Sequence, residues 1–237
     1  MRLRTPSTLL PTALAAAMAL FALVPSAPAA ASAPAGAAAI AAAAPPPLLV
    51  EAITQLPVSQ ENRAGYKRTS FRHWIDADRD GCHTRHEVLL AEAIQAPDQG
   101  ARCALSGAVW WSYYDDITIT EPAQLDVDHL VPLAEAWDSG ASAWDAARRQ
   151  AYANDLDDAR HLVAVTARSN RQKADQDPAT WLPPHPAARC RYAIEWVSVK
   201  RRWQLAVDNA EKTALHTLAG GCPGAHLTTD PAAARNR

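Results

Sequence analysis

Four cysteines, Cys82, Cys103, Cys190 and Cys222, restrict what this chain can fold into more than any other feature. None belongs to a C-x-x-C pair, which argues against a zinc ribbon. An even count in a chain that opens with an export-like segment points to two disulfides, for which three pairings exist. Joining sequence neighbours, Cys82 to Cys103 and Cys190 to Cys222, is the favoured pairing, and it makes a demand on the segment between the second pair. Tyr192, Trp196, Val199 and Trp203 recur at spacings of four and three, one face of a helix, and Val207, Ala210, Ala214 and Leu218 continue the pattern. A single straight helix would hold Cys190 and Cys222 roughly 48 Å apart at about 1.5 Å per residue. A disulfide needs the Cα atoms within roughly 7 Å. With this pairing the helix must break. The spacing predicts a helix over 188–203, a reversal at 204–208 and a second helix over 209–219. Asp208 with Glu211 supplies a capping box, and Gly220-Gly221 supplies the stop.

Arg2 and Arg4 precede an apolar run from Leu9 to Val24, and Ala27-Pro28-Ala29 offers small residues for cleavage. Residues 1–30 are expected to be a signal peptide; the run is short for a bilayer span. Residues 31–47 are almost all Ala, Pro and Ser, a linker composition, and one folded domain is expected over 48–237. The mature protein is expected to be secreted, monomeric and free of the membrane. The formal net charge of −2 excludes a broad basic field of the kind that holds a tight, non-catalytic nucleic-acid binder. An enzyme can keep its positive charge local.

Asp76-Ala-Asp78-Arg-Asp80-Gly81, followed after five residues by Glu87, matches D-x-D-x-D-G-x5-E. Carboxylates at alternate positions, a glycine for the sharp turn and a closing two-oxygen glutamate suit Ca²⁺. Cys82 sits inside this EF-hand-like loop and would tie it to Cys103. His83 stands where such loops carry an aliphatic residue, and no second loop is present to pair with it. An acidic turn before a helix starting near Val88 accounts for the same residues.

The stretch Leu125-Asp126-Val127-Asp128-His129-Leu130-Val131-Pro132 alternates like a strand that ends near its proline. Asp128 and His129 are adjacent, so a regular strand points them to opposite faces unless it bends. His161-Leu162-Val163-Ala164-Val165 reads as a second strand. Residues 166–175 read as a helix that brings Asn170 and Lys173 to one face. Upstream, Trp110, Trp111, Tyr113 and Tyr114 with residues 117–120 form a strand or hairpin, whose aromatics fill a core or stack on bases. Residues 142–154 read as a helix with Arg148 and Arg149 exposed. Lys200-Arg201-Arg202 is either a phosphate-contact patch or a solvated helix face.

In that order, D-H-L-V-P-L, H-L-V-A-V and S-N-R-Q-K-A-D resemble the HNH endonuclease superfamily, in particular the secreted actinobacterial type related to the DUF1524 group. The resemblance spans about residues 60–222. It implies an α+β fold with a ββα-metal, HNH-like core, here with added helices, the EF-hand-like loop and two disulfides. It also implies metal-dependent endonuclease activity, the hydrolysis of phosphodiester bonds in DNA or RNA. Residue by residue, His129 resembles the general base, and Asp128 and Asn170 the metal ligands. His161 stands where many members carry Asn. The chemistry agrees: a near-neutral imidazole can take a proton from water, and Asp and Asn oxygens suit Mg²⁺ or Mn²⁺. Arg168, Arg171 and Lys173 are available to hold backbone phosphates. The competing reading is a calcium-braced binding module with a catalytically dead core.

Overall fold

The computed structural model describes residues 45–227. The expected signal peptide and nearly all of the linker lie outside them. In chain order the elements are α1 (Leu49–Thr54), α2 (Thr84–Glu92), β1 (Asp98–Gln99), β2 (Leu105–Ser106), β3 (Trp110–Ser112), β4 (Ile117–Ile119), β5 (Leu125–His129), α3 (Leu133–Asp138), α4 (Ala146–Ala153), β6 (Leu162–Thr166), α5 (Ala167–Lys173), α6 (Arg189–Trp203) and α7 (Asn209–Gly220). The strands pair antiparallel in twos, β1 with β2, β3 with β4 and β5 with β6. The fold is α+β, and no helix among the described residues is long and apolar enough to cross a membrane.

β5 and β6 run in register from Leu125 opposite Thr166 to His129 opposite Leu162. β6 is buried on both faces, which explains its unbroken apolar run. Val163 and Val165 join the larger core with Leu130, Val131, Tyr192 and Trp196. Leu162 and Ala164 join a smaller core with Val88, Leu89, Trp110 and Val127. α5 follows β6 without a loop. Thr166 caps it by accepting from the Ser169 amide, and Ala174 ends it at φ +48°.

Both disulfides join sequence neighbours, with Cα separations of 5.2 Å for Cys82–Cys103 and 5.7 Å for Cys190–Cys222. The predicted helix break is present. Gln204 turns left-handed after α6, and Asp208 caps α7 by accepting from the Glu211 amide at 2.6 Å. The capping box closes on one side only, because the Glu211 side chain reaches Trp196 and Lys200 instead.

Two expectations are corrected. The Lys200-Arg201-Arg202 run is not a phosphate patch. Lys200 is fully buried, its Nζ 2.6 Å from Glu135 Oε1, 3.1 Å from Glu211 Oε2 and 2.7 Å from Ser139 Oγ. Arg202 is paired with Asp155, leaving Arg201 alone of the three to face solvent without an ion pair among the described residues, its guanidinium on Gln55. Arg149 is half-buried and donates to the carbonyls of Ser70, Ala141 and Trp144, so of the two only Arg148 is exposed. Of the two readings of the aromatic run, core packing is the one met for Trp110, Tyr113 and Tyr114, which are buried.

Candidate active cleft

The C-terminal end of β5 and one face of α5 border a cleft of about 240 Å³, lined among others by Arg68, Asp128, His129, Asn170 and Arg171. Asp128 and His129 both reach it despite their alternation along the strand, because β5 ends at His129. Pairing gives way there to a single bond from the Leu130 amide to the His161 carbonyl.

Asp128 is buried and held through one oxygen. Its Oδ2 accepts from Lys173 Nζ at 2.7 Å and from the Tyr114 hydroxyl at 2.7 Å. Among the described residues Oδ1 has no hydrogen-bond partner. Lys173 is fully buried and also donates to the His129 carbonyl at 3.1 Å. Burial pushes the Asp128 carboxyl up against the opposing pull of Lys173, and pushes the Lys173 ammonium down against Asp128. Asn170 donates through Nδ2 to Asp126 Oδ2 at 3.2 Å, which leaves its amide oxygen as the unspent acceptor. Arg171 reaches the same Asp126 oxygen at 3.5 Å with its side chain largely in solvent.

His129 has a defined tautomer. Its Nε2 lies 2.9 Å from the Ala153 carbonyl, which can only accept, so Nε2 carries the proton and Nδ1 the lone pair. Trp74 stacks on the ring at 5.4 Å. Burial, and next the neighbouring His161, hold the ring well below the ordinary histidine range, so it is neutral at pH 7.

The remaining expected site residues divide. Arg168 is exposed on α5 and does not line the cleft. Lys173 is committed to Asp128, which leaves Arg68 and Arg171 as the cations at the cleft. His161 does not line it either; its ring is fully buried, 6.2 Å from His129 and 4.5 Å from Tyr152. Neither His161 nitrogen has a hydrogen-bond partner among the described residues. The Tyr152 carbonyl is close enough to favour the charged ring but lies outside hydrogen-bond geometry. Burial lowers this histidine to about 4. Its contribution to stability is therefore complete above pH 6.5 and is lost as the pH falls through 4, a term of about 3 kcal/mol. Urea midpoints between pH 7 and pH 4 should fall less steeply in His161→Leu than in the native protein; parallel curves would contradict this.

Sequence reasoning missed Arg68, Trp74 and Tyr114. Tyr114 lay in an aromatic run with core spacing, and Arg68 and Trp74 carry no motif that marks them as neighbours of β5.

The acidic loop is shaped by its own carboxylates. Asp76 accepts from the amides of Arg79 at 2.8 Å and Gly81 at 3.1 Å, and Asp80 accepts from the Cys82 amide at 2.7 Å. Gly81 sits at φ +98°, a conformation open mainly to glycine. Oxygens of Asp76, Asp78 and Asp80 come within 4.8 Å of one another, and Glu87 comes as close to Asp80. Burial, and then the charges of Asp80, Asp78 and Asp76, raise the Glu87 carboxyl. The Cys82 sulfur is spent in its disulfide, so only the backbone at that position is left to contribute.

Residues 87–218 match the family described as the C-terminal domain of GmrSD restriction endonucleases. The chain is also 39% identical over 174 residues to a protein of Arthroderma benhamiae described as an uncharacterized secreted protein, a match covering 73% of this chain and 83% of the relative. No solved structure matches significantly. With more than half of its length inside the match, the chain belongs to the GmrSD C-terminal domain family.

Proposed function

We propose that this protein is a secreted, metal-dependent endonuclease whose β5–β6–α5 unit is an HNH-type ββα core. The observation that carries the reading is the cleft itself. His129 with its fixed tautomer, Asp128 with one unspent carboxylate oxygen and Asn170 with an unspent amide oxygen line one concavity with two arginines. The family match supports nucleic acid as the substrate. The relative's name and the two disulfides support an oxidising, extracellular setting.

The donor set fits a divalent cation. Asp128 Oδ1 and Asn170 Oδ1 are hard oxygens, and Mg²⁺ takes few protein ligands and keeps positions for water and phosphate. Lys173 weakens the charge Asp128 can offer, so a modest affinity is expected. When bound, the cation stabilises charge on the phosphoryl oxygens. The protein's own part follows from geometry. Nδ1 of His129 takes the proton of the attacking water. The Ala153 carbonyl holds that ring and favours the imidazolium once it forms. Arg68 and Arg171 bind the phosphate backbone at the cleft edge. A catalytically dead core would not be expected to keep base, oxygen donors and cations together.

Purified protein incubated with duplex DNA, single-stranded DNA and RNA should cut at least one of them internally with Mg²⁺ or Mn²⁺, and none with chelator. Failure to cut any of them with either metal would overturn the reading.

The acidic loop is proposed to hold Ca²⁺ as a brace, with Asp76, Asp78, Asp80 and Glu87 as side-chain ligands and the Cys82 backbone carbonyl between them. Calcium should raise the melting temperature of the native protein and leave that of Asp78→Ala unchanged. No shift in the native protein would dispose of the site.

A further inference from the structure

Of the contacts that reach the ring of His129 from outside its own strand, two lead to one side chain. One is the Ala153 carbonyl at the end of α4, 2.9 Å from Nε2; the other is the indole of Trp74. Asn154, the residue after Ala153, joins these two segments. Its Oδ1 accepts from the Ile75 amide at 3.1 Å and from Thr84 Oγ1 at 2.8 Å. Its Nδ2 donates to the carbonyls of Arg72 and Gln150, each at 2.8 Å. The amide group thus spends all four of its ordinary hydrogen bonds. It ties the backbone on both sides of Trp74 to the last turn of α4, whose Ala153 carbonyl fixes the tautomer of the base. Trp74 needs that restraint, because it sits at φ +58°, a left-handed conformation costly for a bulky residue.

We propose that Asn154 is a positioning residue for His129, setting the placement and tautomer of the imidazole through the Ala153 carbonyl and the Trp74 stack. This rests on the reading of His129 as the base. Asn154 also bonds Ile75 and Thr84, which flank most of the acidic loop, so that loop and the base share one anchor.

The test uses the full chain with Asn154→Ala and Asn154→Asp, each checked for intact disulfides and native circular dichroism. Cleavage kinetics are read beside the ¹⁵N resonances of the His129 ring. Asn154→Ala should lower kcat by about ten- to a hundred-fold, the cost of a misplaced group. KM should stay within about two-fold, and the ring should shift from a single Nε2–H tautomer to a mixture. Asn154→Asp keeps the two accepted bonds to residues 75 and 84 and should recover part of both losses. A single tautomer in Asn154→Ala would overturn the proposal, whether or not kcat falls, since any loss would then not act through the ring. A loss of melting temperature with native kcat and native tautomer would overturn it as well. If the native protein cuts nothing, the functional reading fails, while the tautomer still reports whether Asn154 holds the imidazole.

Discussion

His129→Ala is expected to lower the cleavage rate by about 10²–10⁴-fold, the usual contribution of a positioned general base, and to leave both disulfides formed. The size of the effect follows from how few of the other groups at the cleft can do the work. Lys173 is fully buried and bound to Asp128, and Arg68 and Arg171 cannot deprotonate. Asp128 has one oxygen saturated by Lys173 and Tyr114. His161 is sealed among Tyr152 and Trp203. The loss should appear in kcat, because the imidazole makes its catalytic contact as the proton moves. Single-turnover cleavage of plasmid, with thermal melts to confirm folding, checks this. A native rate would place the base elsewhere.

Lys200→Met destabilises the protein by about 3–5 kcal/mol, the range for removing one partner of a buried ion pair. Lys200 is the only cation touching Glu135 and Glu211 among the described residues, and all three are almost wholly buried. Other carboxylates crowd the same region. Oxygens of Glu61, Glu135 and Asp138 come within 4.8 Å of one another, and so do those of Asp177, Asp208 and Glu211. Even with Lys200 in place, burial outweighs its pull and raises the Glu211 carboxyl to about 7. A carboxyl raised in the folded state binds more protons folded than unfolded, so it costs stability as the pH climbs from 4.5 through 7 and ceases to cost anything below 4.5. Without the lysine both glutamates should hold protons more strongly. The deficit of Lys200→Met is therefore expected to be larger at pH 8 than at pH 6. Urea titrations at the two values measure it; an equal deficit at both would mean that charge is not its source.

The difference between Lys200 and its neighbours shows where the sequence was readable. Tyr192, Trp196, Val199 and Trp203 announced α6 by their spacing, and the reach of a disulfide forced the break that Gln204 and Asp208 make. The same period places Lys200 four positions after Trp196, on the buried face. A run of three basic residues hides that, because the pattern is judged by hydrophobicity and a paired lysine is not hydrophobic. The site was legible where its residues are close in sequence. Asp128 and His129 stand on β5, and Asn170 and Lys173 stand on α5, which directly follows β6, the antiparallel partner of β5. Arg68, Trp74 and Tyr114 arrive from other segments, and their approach is a product of core packing that no local spacing encodes. The fate of Lys173 was also illegible: whether it faces solvent or seals a carboxylate depends on the burial of β5, which only the assembled sheet and helices decide.

Asp128 and Asn170 are proposed to supply the oxygens for one cation while His129 supplies the base. The most direct measurement is the Mg²⁺ concentration giving half-maximal cleavage in Asn170→Ala and His129→Ala beside the native protein. Asn170→Ala is expected to need about ten-fold more metal or greater, in line with the loss of one ligand oxygen, whereas His129→Ala should keep the native metal requirement and lose maximal rate. An unchanged metal requirement in Asn170→Ala, or cleavage by the native protein that survives chelation, would contradict this proposal.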